Sequence, residues 1–247
     1  MTKRNSPLIA LFVTCLVDQL YPEIGLATAR LLRRAGYQVD FPMAQTCCGQ
    51  PFFNSGFQPE AARLAKRTIE ILQPYQAVVL PSGSCTTMIR AEYPHLLADE
   101  PGWGERARRV ANKTYELSEF LVQQARWQPE PPSGDATPPA ITYHDSCHMC
   151  RMLQLKDEPR TILTQAGYTI SEMPESDRCC GFGGLFSLRM PEVSNAMSGE
   201  KLAQASDSEA AMLVTADPGC MMQLRGLAEQ HGVRVEHLAV ALEAITP

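Results

Sequence analysis

Two stretches, Cys47-Cys48-Gly49-Gln50-Pro51 and Cys179-Cys180-Gly181-Phe182-Gly183-Gly184, each set two thiols side by side and follow them with glycine. A residue without Cβ after a thiol pair suits a backbone that bends closely around something the sulfurs hold. The pairs belong to a longer repeat. Cys15, Cys47 and Cys48 recur as Cys147, Cys179 and Cys180, each 132 positions later. Ala35-Gly36-Tyr37 is echoed by Ala166-Gly167-Tyr168, and Pro59-Glu60 by Pro191-Glu192. Residues 77–85, ending at Cys85, parallel residues 211–220, ending at Cys220, and residues 115–121 parallel 235–241. Repetition over that length implies a duplicated domain. Between the copies, residues 127–139 hold five prolines and no apolar periodicity, the composition of an extended linker. The expected organisation is a first cysteine-rich domain over 1–126, the linker over 127–139, and a second cysteine-rich domain over 140–247.

Each half alternates strand and helix patterns. In the first, residues 9–13, 37–41 and 77–80 read as short strands. Ile24, Ala27, Leu31 and Leu32 trace a helical face that stops at Gly36, and Ala62, Ala65, Ile69 and Leu72 trace another over 59–72. Such alternation predicts an α/β fold of two pseudo-repeated parallel-sheet domains. Cys15, Cys47-Cys48 and Cys85 each follow a strand. All strands of a parallel sheet end on one rim, so four thiols converge at the C-terminal rim of each sheet.

Composition narrows the function. The chain has 247 residues, 45% hydrophobic and 20% charged, which suits one large or two modest globular domains. Its net charge of -5 argues against nucleic acid as the partner, and Arg106-Ala107-Arg108-Arg109 reads as one solvated helix face. Lys3 and Arg4 ahead of the apolar residues 8–13 resemble a short secretion signal, but the same strand-then-cysteine pattern recurs at Cys147. No stretch approaches the roughly 18 apolar residues of a membrane span, so the expectation is a cytoplasmic protein that is not integral to a membrane. Nine cysteines are too sparse for a disulfide scaffold, and an odd number leaves one unpaired.

Four converging thiols admit three readings. A disulfide between neighbouring cysteines closes a strained ring. Zinc takes four thiolates at tetrahedral vertices, usually from knuckles with two to four residues between cysteines, a spacing that adjacent thiols do not have. An iron-sulfur cluster offers several irons, so neighbouring thiolates bind different metal atoms, and four cysteines are its usual complement. Gly49 and Gly181 would then let the backbone approach the cluster, with loop N–H groups facing its negative charge.

The pattern of one cysteine, a Cys-Cys-Gly and a further cysteine, present twice, resembles the cysteine-rich CCG domains of heterodisulfide reductase and of the glycolate oxidase iron-sulfur subunit. It is more similar still to the lactate utilization protein A family. The matching stretches are Phe12-Val13-Thr14-Cys15, Cys47-Cys48-Gly49-Gln50-Pro51 with Asn54-Ser55-Gly56, Gly83-Ser84-Cys85, Leu97-Ala98-Asp99-Glu100-Pro101, His144-Asp145-Ser146-Cys147, Lys156-Asp157-Glu158-Pro159 and Cys179-Cys180-Gly181-Phe182-Gly183-Gly184. The resemblance implies an iron-sulfur electron-transfer subunit of a complex that oxidises L-lactate, or another 2-hydroxy acid, to the keto acid. Its partners would be a ferredoxin-like iron-sulfur subunit and a third lactate-utilization subunit, through which the chain could lie peripherally at the inner face of the membrane. The resemblance also implies the ligands: Cys15, Cys47, Cys48 and Cys85 for one centre, Cys147, Cys179, Cys180 and Cys220 for the other. Up to two [4Fe-4S] clusters follow, with zinc open in one half. The wider superfamily ends its motif in Cys-x-x-Cys, where this chain has Met88 and Gln223. That departure favours four-ligand centres over five-cysteine ones. The alternatives are a thiol/disulfide redox subunit like that of heterodisulfide reductase and a zinc-stabilised interaction subunit.

Several residues carry two readings. His144, Asp145 and His148 flank Cys147 and are the candidates for moving protons or binding a substrate carboxylate. Equally, His144 ends a strand while Asp145 or Ser146 caps the following helix. Cys150, aligned with Asp18 of the first half, is a core thiol or a spare ligand. Gln50, Asn54 and Ser55 line the pocket or simply form a turn. His237 reads as the end of a strand.

Overall fold

The computed structural model describes residues 7–130 and 138–246. Lys3, Arg4 and residues 131–137 of the expected linker lie outside the described residues. The chain divides into two compact units, Met1–Ala125 and Arg126–Pro247.

In the first unit four strands, β1 (Leu8–Leu11), β2 (Gln38–Asp40), β3 (Val78–Leu80) and β4 (Thr114–Glu116), form one parallel sheet in the order β2-β1-β3-β4. The strands are shorter than the apolar runs that announce them. The Val13 N–H turns to the Gln45 side-chain oxygen at 2.8 Å instead of extending a ladder, and Phe41 precedes Pro42, which has no N–H to give. Helix Pro22–Arg34 buries Ile24, Ala27, Leu31 and Leu32, and helix Gln58–Leu72 buries Ala61, Ala65, Thr68, Ile69 and Leu72. That spacing presents one stripe to the sheet. Val78, Val79 and Leu80 are fully buried, as a parallel strand covered on both faces must be. Burying a side chain of that size contributes ~2 kcal/mol before entropy is counted.

The second unit has β5 (Ile141–His144), β6 (Met212–Thr215) and β7 (Val235–His237), all parallel, in that order. The counterpart of β2 is reduced to a single bridge, Ile141 with Ile170. Ile141 N–H donates to Thr169 O and Ser171 N–H to Ile141 O. Beyond them Glu172 turns to Arg160, and Pro174 brings no N–H. Helix Pro191–Asp207 takes the place of helix Gln58–Leu72. Leu80 pairs with Glu116 and Thr215 with His237, so the last elements align one residue further on than the sequence parallel of 115–121 with 235–241 suggests. Among the described residues no helix is long and apolar enough to cross a membrane.

Candidate metal centres

In the first unit the cysteines gather where β1, β2 and β3 end. Cys15 opens the short helix Cys15–Leu20, Cys47 and Cys48 lie in the loop after β2, and Cys85 sits in helix Gly83–Thr87 after β3. Cys15 Sγ lies 3.7 Å from Cys47 Sγ, and Cys48 Sγ lies 3.1 Å from Cys85 Sγ. All nine cysteines of the chain are free thiols. Gly49 has φ +90°, and its N–H donates to Cys47 Sγ at 3.4 Å. The Ser82 hydroxyl caps the helix that carries Cys85 by accepting from Cys85 N–H. Tyr93 is fully buried and donates its hydroxyl hydrogen to Cys48 O at 2.6 Å.

The second unit repeats this machinery. Cys147 follows β5, and Cys179 and Cys180 lie in the loop before helix Leu185–Arg189. Cys220 sits in the first turn of helix Pro218–Ala228. Gly181 again has φ +90° and donates its N–H to Cys179 Sγ at 3.4 Å. A Cβ at Gly181 would stand 2.5 Å from Ser194 O. Asp217 replaces Ser82 as the cap, accepting from Gly219 and Cys220 N–H. In both units the first two thiols are half-buried and the last two are buried.

Proton sharing polarises the thiols alike in both nests. Hydrogen bonds from Cys15, then Cys48, pull Cys47 down to about 3, and the same bonds push Cys15 and Cys48 up. Hydrogen bonds from Cys147, then Cys180, pull Cys179 down to about 2. In each nest the negative charge is therefore favoured on the first sulfur of the adjacent pair, Cys47 or Cys179. A metal ion would displace the remaining protons, which is how thiolate sites bind.

Asp145 has both oxygens engaged, by Arg160 at 2.8 Å twice and by the Ser176 hydroxyl at 2.8 Å. Burial raises this carboxyl, but the Arg160 and Ser176 bonds outweigh it and hold Asp145 below its ordinary value. Ser146 accepts from Met149 N–H, so the helix-cap role falls to it. His148 Nδ1 lies 3.7 Å from Cys147 Sγ. His144 is fully buried at the end of β5, and burial drops it to about 4. Cys150 is buried, its thiol donating to Cys147 O at 3.8 Å, with Asp145, Lys156, Asp177 and Arg151 as its charged surroundings. Gln50 reaches Ser84 O at 3.0 Å beside Cys85, Asn54 is exposed, and Ser55 bonds its own turn through Pro51 O. His237 ends β7 and caps the next helix.

Some contributors were not singled out in the sequence, apart from Gln223, noted there only as a departure from Cys-x-x-Cys. Ser194 and Ser198 donate to Gly181 O and Cys180 O at 2.8 Å each, and Gln223 Nε2 donates to both serine hydroxyls at 3.0 Å. Lys201, on the same inward face, is fully buried and donates to Glu175 O. The sequence parallel of Pro59-Glu60 with Pro191-Glu192 hid them: the helices start at Gln58 and Pro191, one residue out of that register, which sets Ser194, Ser198 and Lys201 against Ala61, Ala65 and Thr68.

A cleft of about 380 Å³ opens beside Cys15 and Cys47, walled by Phe41, Met43, Gln45 and Asp18. No comparable opening was expected from the sequence.

The cysteine-rich domain family named CCG matches residues 9–90 and again 141–225. Lactate utilization protein A of Bacillus subtilis (strain 168) is 43% identical over 239 residues, covering 96% of this chain and 99% of that protein. The protein of that name from Anoxybacillus flavithermus is 44% identical over 237 residues, covering 95% and 98%. Among solved structures, a hypothetical protein from Helicobacter pylori aligns with TM-score 0.65 at 12% identity; it spans 98% of this chain, which in turn covers 50% of that one, a likeness of fold. Two matches to one cysteine-rich family, each containing a complete nest, together with full-length relatives at this identity, place the chain: it belongs to the CCG cysteine-rich domain family, within the group of lactate utilization protein A.

Proposed function

We propose that each nest holds an iron-sulfur centre and that the chain carries electrons in a complex oxidising L-lactate to pyruvate. The observation that carries this reading is the meeting of four unbridged thiols at each sheet rim, with neighbouring sulfurs at 3.1 and 3.7 Å in the first unit. Beyond their contact with each other, adjacent Cys47 and Cys48 reach different further partners, Cys15 and Cys85, which suits a core with several metal atoms. When bound, such a centre takes up and releases electrons singly. The chain's own residues do the rest. Gly49 and Gly181 N–H groups steady the thiolates, and the buried sulfurs keep water from the inner side. Half-buried Cys15 and Cys47, or Cys147 and Cys179, leave an outer side for electron exchange with ferredoxin-like and further subunits.

The cleft beside Cys15 and Cys47 favours a second reading, in which a substrate sulfur reaches the first centre and the chain works as a thiol/disulfide redox subunit. Anaerobic purification followed by iron, sulfide and zinc analysis tests the main proposal. Roughly four to eight irons with matching sulfide per chain support it. Stoichiometric zinc in a colourless sample would overturn it and leave a zinc-stabilised interaction subunit. Turnover of a disulfide with a reductant, and none of lactate electrons with the partner subunits, would favour the second reading.

A further inference from the structure

The two nests are not equivalent, and the difference centres on one buried nitrogen. His144 stands 132 positions after Phe12, the same interval that separates the first three cysteines of each unit. Phe12 is an apolar core residue in the first unit. A ring nitrogen of His144 lies with Cys180 Sγ and Cys220 Sγ in a group whose ligand atoms are all within 4.8 Å of one another. Its ring is fully buried, and Nε2 has no hydrogen-bond partner among the described residues.

The other ring nitrogen fixes the tautomer. Nδ1 lies 3.2 Å from Ser176 O, and a carbonyl oxygen can only accept, so Nδ1 carries the hydrogen. Nε2 is then the ring atom left with a free lone pair, in a residue grouped with the buried sulfurs of Cys180 and Cys220. A buried polar atom left unsatisfied is destabilising, and an imidazole whose other N–H is held by a backbone carbonyl is the usual arrangement of a histidine that ligates a metal. Neutral imidazole in this tautomer has no Nε2 hydrogen to offer a sulfide, which excludes the role of hydrogen-bond donor. The carbonyl that anchors it is itself fixed, because Ser176 O also accepts from Asp145 N–H at 3.0 Å, and the Ser176 hydroxyl is tied to Asp145.

We infer that His144 Nε2 is a metal ligand of the second centre, giving that centre a nitrogen donor beside its thiolates that the first centre lacks. The inference rests on the reading of the nests as metal centres. It separates the two halves in coordination as well as in surroundings: the second nest offers five donors, the first four. A neutral nitrogen added to four thiolates leaves the ligand charge unchanged but alters the coordination, so the second centre differs from the first in spectroscopic signature.

The test uses the anaerobically purified full chain grown with ¹⁵N-histidine. Metal analysis comes first. If iron is present, pulsed electron paramagnetic resonance of the reduced protein should show hyperfine coupling to a histidine ¹⁵N. If zinc is present, absorption at the zinc edge should show imidazole scattering. His144→Phe, which copies the first unit, should abolish the nitrogen signal, whereas His148→Gln should keep it. His144→Gln serves if the phenylalanine variant does not fold. Metal present without a histidine nitrogen signal in the unsubstituted chain, or with a signal that survives at His144→Phe or His144→Gln, overturns the inference and leaves the metal reading intact. A chain that holds neither iron nor zinc overturns both.

Discussion

In the first unit, Phe12, Ala61, Ala65 and Met88 share one apolar core with Cys48 and Cys85. At the corresponding positions of the second unit stand His144, Ser194, Ser198 and Gln223, three of them linked by hydrogen bonds that end on the backbone of Cys180 and Gly181. The features that hold the sulfurs are nevertheless shared: glycine at φ +90°, an N–H aimed at the first sulfur of the pair, and a capped helix carrying the last cysteine. Duplication thus preserved what the backbone does and let the wall behind it diverge. Hydrogen bonds and charge around a cluster tune its potential. Two centres with the same thiol framework and unlike walls are therefore expected to differ in potential, with buried Lys201 and the Ser-Gln network favouring electrons on the second.

The strongest way to break the comparison is to remove one nest. Cys180→Ser should remove about half of the iron, sulfide and visible absorbance and leave the remainder, and Cys48→Ser should remove the other half. Loss of everything in either variant, measured by metal analysis, would mean one shared site. Next in size is the clip found only in the second unit. Val13 occupies the position of Asp145 in the first, so no equivalent ion pair exists there. Arg160→Met strips Asp145 of its bidentate partner, and an uncompensated buried carboxylate should cost about 3 kcal/mol in urea denaturation.

The glycines sharpen the comparison further. Alanine at either position pays about 1–2 kcal/mol for a left-handed backbone. At Gly181 the new Cβ would also stand 2.5 Å from Ser194 O, against 3.4 Å from Ala61 O at Gly49. Gly181→Ala should therefore lower the melting temperature more than Gly49→Ala. The comparison also has a pH arm, in the helix caps that follow the last strands, Glu116 in one unit and His237 in the other. Burial raises Glu116 from 4.5 to about 8, with the Ser118 bonds opposing and Glu119 assisting. The folded chain then holds this proton where the unfolded chain has lost it. Stability should fall as pH rises from about 4.5 to about 8 and level off above, and Glu116→Gln should flatten that slope. A slope unchanged by the substitution would refute the assignment.

The duplicated cysteine frame was legible because it depends on spacing, and strands that end on one rim convert spacing into proximity. Cys15, Cys47, Cys48 and Cys85 needed only that rule. The wall was hard to read because a helix position shows its meaning only once the inward face is known. Ser194, Ser198 and Lys201 look like surface residues until helix Pro191–Asp207 is seen to turn them inward. The reduction of the second unit's expected strand to one bridge at Ile170 was likewise hidden, since Tyr168-Thr169-Ile170 has strand character and Glu172 is drawn away by Arg160 across twelve residues. His144 was picked out for its proximity to Cys147, yet its direction depended on Ser176, which no local pattern links to it.

The most direct test of the two-nest account is a crystal structure from anaerobically purified protein with anomalous diffraction recorded at the iron edge. The account predicts two separate iron peaks, one in contact with Cys15, Cys47, Cys48 and Cys85, the other with Cys147, Cys179, Cys180 and Cys220. Cysteines joined in covalent pairs, or nests without metal peaks, would contradict it.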